Sequence, residues 1–294
     1  MTDLPMRLVR MLATAPGFRR LTRVRALLRV SYALRAALVQ ERRRFALNEL
    51  RRRESTGVYR LRESGVAFAA RHHTGDILVL DEIFSQREYE PPLEAEAALA
   101  GLPAALQVID LGANIGLFGA WVLGRFPGAR IVAVEADPAN AEVHRRTIEA
   151  NGLGARWELV EAFASTATGE VRFAGGQHAT SHEAEDGTPV PAVDAFPLLA
   201  DGDLLKIDIE GGEWAILGDA RFAGLRPSVV VLEYHQDGCP ESDAASAASD
   251  ALRAAGLDVV EGSSKPEFGA GIVWGLARPD ATPADDSQGV AEHQ

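Results

Sequence analysis

The sequence predicts an α/β fold: a doubly wound, mostly parallel seven-stranded sheet with an N-terminal helical extension. Two observations carry that prediction. From residue 107 onward, short β-type runs alternate with helical stretches, the pattern of a parallel sheet covered by helices on both faces. A glycine-bearing turn, Asp110-Leu111-Gly112-Ala113-Asn114-Ile115-Gly116, follows the first run and opens a helix. Open α/β sheets place their ligands at such turns, beyond the carboxyl ends of the strands.

Taken in order, residues 6–54 read as helix, with apolar Leu21, Val24, Leu27 and Leu28 at helical spacing among arginines. Pro16-Gly17 divides this arm. Residues 58–62 and 66–69 alternate like strands, and Ile77-Leu78-Val79-Leu80 reads as a further short β run. Polar, proline-containing Glu88-Tyr89-Glu90-Pro91-Pro92 leads into a helix over 93–100. Strands are expected at 108–111, 131–135 and 158–161, and helices at 116–123 and 138–151. Asp137 is placed to cap the second helix and Pro138 to open it. An accessory strand is expected at 170–173, and residues 174–192, rich in Gly, His and acids, read as a mobile loop. Strands at 204–208 and 229–233 complete the parallel set. A helix over 243–255 ends at Gly256, and strands at 257–260 and 272–277 follow with no helix between them, so one of the two runs antiparallel. The expected organisation is an Arg-rich arm (1–56), a β-containing accessory or lid region (57–106), a ligand-binding catalytic domain (107–278) and a disordered tail (279–294).

Composition narrows the function. The 294 residues are 47% hydrophobic and 24% charged, which suits a soluble globular chain. No run approaches the roughly 20 uncharged apolar residues of a bilayer span, and early arginines interrupt any signal-peptide core. The single Cys239 excludes an internal disulfide and a cysteine-based zinc site; a cytoplasmic location is expected. Net charge is −12, yet residues 1–60 carry +11 and the remainder −23. An acidic body argues against a nucleic-acid substrate, which needs a basic track. The basic arm is expected to pack as helix, and is a reasonable homodimerisation element. An anionic surface is its other possible partner.

The glycines at 112 and 116 let the backbone turn sharply and approach a ligand, and the next helix offers free N–H groups. A dinucleotide turn reads G-x-G-x-x-G. Here Asn114 replaces the second glycine and Asp110 precedes the turn. An acid suits a ligand with a positive amino group, so S-adenosylmethionine is favoured over NAD. Glu135 ends the next strand, 23 residues after Gly112, where it can accept both ribose hydroxyl hydrogens. The third strand ends at Glu161-Ala162-Phe163, which puts Glu161 where an adenine ring would lie.

Alternation sends Lys206, Asp208 and Glu210 to one side of the fourth strand, and Glu233 and His235 to one side of the fifth. Three ionisable groups within five residues of a buried strand need each other or a ligand; Lys206 either serves chemistry or only pairs an acid to hold the turn. Glu213 falls in the next helix's first turn, where it complements the dipole. His235, near-neutral in pKa, is a candidate general base, as is Asp208. Asp208, Glu233 and His235 could also hold a divalent ion, although none is expected. His178 and His182, beside Glu183, Glu185 and Asp186, could form half a metal site only on a helix, and no helix is expected there.

These stretches resemble the FkbM-like family of class I S-adenosylmethionine-dependent methyltransferases. The likeness runs over about residues 75–277. It is carried by VIDLGANIGLFG, AVEADPAN and VPAVDAF, and most specifically by LLKIDIEGGEWAIL, with DILVLDEIF and EYEPP ahead of the core. Gly212 stands where alanine is more usual, and residues 1–55 have no assigned counterpart. The resemblance implies a Rossmann-like methyltransferase fold and methyl transfer to an oxygen, commonly a hydroxyl on a sugar or secondary metabolite, with S-adenosyl-L-homocysteine as product. It implies that Asp110, Gly112, Asn114, Gly116 and Glu135 hold the cofactor, and that Lys206, Asp208, Glu210 and Glu213 occupy the motif positions of the fourth strand. The competing readings are an NAD-linked oxidoreductase or epimerase, and a non-catalytic scaffold that keeps the cofactor fold.

Overall fold

The computed structural model describes residues 34–51, 53–174, 182–183 and 187–278. Residues 1–33 of the predicted arm, His178, Glu185, Asp186 and the tail at 279–294 lie outside the described residues, as do the side chains of His182 and Glu183. Helix α1 (Arg42–Arg51) packs on a hairpin of β1 (Ser55–Arg60) and β2 (Ala67–His72). Phe45 stands edge-on to Tyr59 at 5.0 Å. Buried Glu49 meets His72 Nδ1 at 2.5 Å, while His72 Nε2 lies 2.6 Å from the Tyr59 hydroxyl, so each polar group that α1 buries finds a partner.

The run Ile77-Leu78-Val79-Leu80, expected as strand, lies instead in helix α2 (Asp76–Phe84). A short continuous apolar run does not distinguish strand from buried helix. Burial of Ile77, Leu80 and Ile83 shows the three-residue spacing of one helical face, which the intervening apolar residues hide in the sequence. Helix α3 (Leu93–Ala100) leads into the core.

The core alternates β3 (Gln107–Leu111), α4 (Leu117–Arg125), β4 (Arg130–Glu135), α5 (Pro138–Asn151) and β5 (Trp157–Glu161). The Asp137 side chain accepts from Ala139 N at 2.7 Å and caps α5 as expected. A small side sheet interrupts the alternation: β6 (Phe163–Ser165), β7 (Gly169–Ala174), β8 (His182–Glu183) and β9 (Thr188–Asp194), in the order β6-β9-β7-β8. Strand β9 corrects the loop expected through 192. Its prolines, Pro189 and Pro191, alternate outward with buried Val190 and Ala192, and proline masks a strand in sequence because it donates no ladder bond. Then come α6 (Phe196–Leu199), β10 (Leu204–Ile207), α7 (Glu213–Gly218), β11 (Val229–His235), α8 (Ala244–Ala254), β12 (Leu257–Lys265) and β13 (Ala270–Ala277).

Seven strands form the main sheet in the order β12-β13-β11-β10-β3-β4-β5. β13 runs antiparallel to both neighbours, and the other pairings are parallel. Successive residues feed opposite cores: Val108, Val229 and Val231 one, Ile109, Val230 and Leu232 the other. No helix among the described residues is long and apolar enough to cross a membrane.

The hairpin is fastened to the core by side chains of α5, which pair the free edge of β2. Asn151 accepts from Ala67 N and donates to Ala67 O, both at 2.8 Å, and Thr147 Oγ1 accepts from Ala69 N at 3.0 Å. Thr147→Val keeps the shape but orphans the Ala69 N–H. It is expected to lower stability by about 1–3 kcal/mol in urea unfolding.

Candidate active site

The carboxyl ends of β3, β4 and β10 open on a cavity of about 560 Å³, walled on its far side by α2. Gly112, with φ +77°, turns the chain out of β3; a Cβ there would lie 1.7 Å from the Asp208 carbonyl oxygen. Only glycine lets the β3 turn lie this close to the end of β10. Gly112 N and Ala113 N both donate to Val134 O at 3.0 Å, tying the turn to β4. Asn114 is left-handed (φ 49°), and its N–H donates to Glu135 Oε2 at 2.7 Å. Gly116 (φ +87°) caps α4, and a Cβ there would press 2.6 Å from the His144 ring.

Glu135 Oε1 accepts from Asp137 N at 2.8 Å and Asn140 Nδ2 at 3.4 Å. With Asn114 on Oε2, three of about four acceptor positions are filled, which leaves one lone pair of a cavity-lining carboxylate open. Burial, only partly offset by these donors, pushes its pKa up to about 7. The hairpin joins this corner: Asp76 grips the Arg71 guanidinium at 2.8 and 2.9 Å, and Arg71 reaches Asn140 Oδ1 at 2.5 Å.

Behind the turn, Lys206 carries the only cation in contact with Asp110 among the described residues. Its ammonium is 3.3 Å from Asp110 Oδ1 and 3.1 Å from Asp208 Oδ2, and donates to Gly112 O at 2.8 Å. Burial opposes the charge on Lys206, but Asp208 and Asp110 outweigh it and raise the pKa. Asp110 is fully buried; its contact with Lys206 is ionic rather than well directed, and Oδ2 accepts no hydrogen bond among the described residues. Burial raises its pKa. Asp208 is also desolvated, yet Lys206 and His235 hold its pKa below the ordinary value.

The predicted residues of β10 and β11 do come together. The Tyr89 hydroxyl sits 3.0 Å from Glu233 Oε2 and 3.3 Å from Asp208 Oδ2. Lys265 lies 3.8 Å from Glu233 and pairs with Glu88. Burial and the charge of Asp208 push Glu233 up to about 8. Asp208, Glu233 and His235 offer ligand atoms within 4.8 Å of one another, the one such group among the described residues. Lys206, Lys265 and Tyr89 already occupy those carboxylates.

Two expectations are corrected. His235 Nδ1 lies 3.1 Å from Glu213 Oε1, which also accepts the His235 N–H at 2.9 Å, and Nε2 lies 3.5 Å from Glu210. Burial lowers the imidazole pKa, but Glu213, Asp208 and Glu210 prevail and push it up to about 10. At neutral pH the ring is therefore a cation with no lone pair for a proton, not the near-neutral base expected. Glu213 does more than complement a helix dipole: it pins His235 and the turn through Gly211 N at 2.8 Å. Glu161 turns to Arg145 of α5 and does not line the cavity; Ala162 and Phe163 do. The alternation of β5 sends a carboxylate and its neighbour to opposite sides.

Sequence reasoning missed Tyr89, Lys265 and Arg71 as site residues. A usable signal existed for Lys265. The chain has two lysines against 28 arginines, and both lysines sit in this carboxylate cluster.

A family model described as the Methyltransferase FkbM domain matches residues 110–256. The chain belongs to the FkbM methyltransferase-domain family. Its strand order and antiparallel β13 are those of the Rossmann-like class I methyltransferase fold, and the nicotinamide-linked reading is set aside. Residues are 29% identical over 212 positions to AMB antimetabolite synthetase AmbE of Pseudomonas aeruginosa, covering 54% of this chain and 10% of that protein. They are 39% identical over 67 positions to ribosomal RNA small subunit methyltransferase C of Chromohalobacter salexigens, covering 22% and 20%. The chain thus spans a fifth or less of the length of these curated relatives. Methyltransferase FkbM from Methylobacillus flagellatus is structurally similar at TM-score 0.46 and 15% identity, over 86% of this chain and 59% of that one.

Removing Lys206 tests the cluster's electrostatics. Lys206→Met leaves Asp110 and Asp208 buried without their cation and is expected to cost about 3–5 kcal/mol at pH 7. Because Lys206 depresses the Asp208 pKa, its contribution is present at neutral pH and lost as pH falls through the folded-state value. The gap between variant and wild type in urea unfolding therefore narrows on acidification. A gap that is constant with pH would show that packing, not charge, is what Lys206 supplies.

Proposed function

We propose that this chain is an S-adenosylmethionine-dependent O-methyltransferase acting on a hydroxyl of a small molecule, such as a sugar or secondary metabolite. The supporting observation is the cradle at the tips of β3 and β4: a turn that admits no Cβ at Gly112, next to a buried Glu135 with one acceptor position unfilled. Family membership supports methyl transfer, and the acidic lining supports a cationic ligand over a pyrophosphate. Gly112, Asn114 and Glu135 line the cavity and hold the cofactor, whereas Asp110 and Gly116, expected to hold it too, are buried behind the lining and only shape the turn. Glu135, with one acceptor position open, accepts from one ribose hydroxyl rather than the two expected from sequence, and Phe163 and Ala162 line the adenine side. When bound, S-adenosylmethionine supplies an electrophilic methyl group.

The chain's own residues do the rest. Asp208 is ionised and lines the cavity, so it accepts the proton of the incoming hydroxyl as charge develops on oxygen. Lys206 and Tyr89 fix that carboxylate in place, which is orientation. Helix α2 closes the far wall against water. The Arg-rich arm is proposed to join two copies of the chain; a truncated protein that stays dimeric in light scattering would sink that part.

Calorimetric titration with S-adenosylmethionine and S-adenosylhomocysteine is the direct test. Saturable binding to wild type, lost in Glu135→Ala, is expected; a folded protein that binds neither removes the proposal. Affinity should also depend on pH. A carboxyl with its pKa near 7 is neutral below that value and then offers fewer acceptor positions. Binding of S-adenosylhomocysteine is expected to be tightest above pH 7 and to weaken as pH falls toward 6; a flat profile would deny Glu135 the ribose role.

With a hydroxylated acceptor found by screening for S-adenosylhomocysteine formation, Asp208→Asn is expected to lower turnover by about 10²–10⁴-fold while leaving cofactor binding near wild type. Turnover within a factor of three of wild type would exclude Asp208 as the base. No product with any hydroxylated acceptor would favour the scaffold reading.

A further inference from the structure

The order of strand tips along the cavity fixes which end of a bound cofactor meets which residues. β5, β4, β3 and β10 lie side by side in that order, with neighbouring strands about 4.8 Å apart. With the ribose at Glu135 on β4 and the adenine toward Ala162 and Phe163 after β5, the amino-acid end and the sulfur fall toward the tips of β3 and β10. Of the ionisable groups on the β10 side, Asp208 and Glu210 line the cavity. Asp208 is committed to Lys206 and Tyr89. Glu210 has a different setting. It is left-handed at φ 51°, a conformation that non-glycine residues rarely adopt and that persists where the surroundings impose it. The next residue, Gly211, continues the turn at φ +92°. Glu213 accepts from Gly211 N and from both His235 N and Nδ1, so the turn and the imidazolium are pinned by one buried carboxylate. His235 Nε2 then stands 3.5 Å from Glu210 Oε2.

Resting on the cofactor assignment above, we propose that Glu210 is the specificity-determining carboxylate of this site. It faces the cofactor's positive sulfur and makes the protein prefer the methylated, cationic cofactor over its neutral demethylated product. The role is distinct from that of Glu135, which reads a ribose common to both forms, and from that of Asp208, which Lys206 and Tyr89 hold in place for the acceptor's proton. The groups around Glu210 set its ionisation. Burial and the charge of Asp208 push its pKa up to about 8, with Glu213 acting in the same sense and His235 and Lys206 opposing; Glu82 of α2 lines the same cavity. The sulfonium gains a charge–charge contact with Glu210 that the neutral product lacks. The consequence is easy release of product after transfer.

The test is calorimetric and needs no acceptor. Dissociation constants are measured at pH 8.5 for S-adenosylmethionine, for S-adenosylhomocysteine, and for sinefungin, which carries an ammonium where the sulfonium stands. Glu210→Gln, which keeps size and backbone, is expected to weaken S-adenosylmethionine and sinefungin about tenfold while leaving S-adenosylhomocysteine within about twofold, the scale of one removed charge–charge contact at a partly solvated site. Retained product binding doubles as the proof that the variant is folded. Equal weakening of all three ligands would overturn the proposal by making Glu210 a shaper of the cavity, and unchanged affinities would overturn it outright. Wild-type protein that binds none of the three would instead remove the cofactor assignment itself.

Discussion

A single buried ammonium organises the functional half of this protein. Lys206 bridges Asp110 at the end of β3 and Asp208 beyond the end of β10, and its hydrogen bond to Gly112 O ties both to the turn that cradles the ligand. Taken alone, either carboxylate in that position would be neutral or disruptive, because burying an unpaired charge costs several kcal/mol. With Lys206 present, Asp208 stays ionised and Asp110 keeps its place under the glycine turn. The close approach of that turn to β10, which no residue with a Cβ permits, brings the two strand ends near enough for one side chain to serve both.

The same logic of shared partners extends outward. Tyr89, carried by the segment ahead of α3, meets Asp208 and Glu233 together, and stacks edge-on against Phe118 of α4 at 5.2 Å. Lys265, at the end of β12, meets Glu88 and Glu233. The accessory hairpin reaches the opposite end of the cavity through Arg71 and Asn140 to Glu135. The region ahead of the sheet is therefore part of the site, and α5 holds it there by pairing the free edge of β2 with Thr147 and Asn151. Fixed dipoles and charges assembled this way need no reorganisation when charge develops nearby.

His235 shows how far an environment can move a residue from its generic chemistry. A histidine at a strand tip beside an acid is a sensible base in sequence. Surrounded by Glu213, Asp208 and Glu210, it becomes a standing cation. What the residue type suggests and what the site allows differ here because the carboxylates crowd one short stretch, 208–213, after β10, and only the pairing of β11 beside β10 sets His235 among all three.

Local patterns determined a good deal. Alternation of β and α segments fixed the parallel sheet, the helix-less connection at its end fixed an antiparallel partner, Asp137-Pro138 fixed the start of α5, and the glycine turn with Glu135 marked where a ligand would lie. Each rests on neighbours in sequence, or on periodicities that backbone geometry imposes. The misreadings have the same origin: Ile77–Leu80 is apolar on every side and hides its helical face, and the prolines of β9 suppress a strand signal that pairing with β7 restores. Only the tertiary structure could bring Tyr89 within reach of Glu233 across 144 residues, turn Glu161 away from the cavity, assign both lysines to one cluster and charge His235. Those outcomes depend on which side chains meet across strands and on how much water is excluded where they meet, and neither is written in the order of residues along the chain.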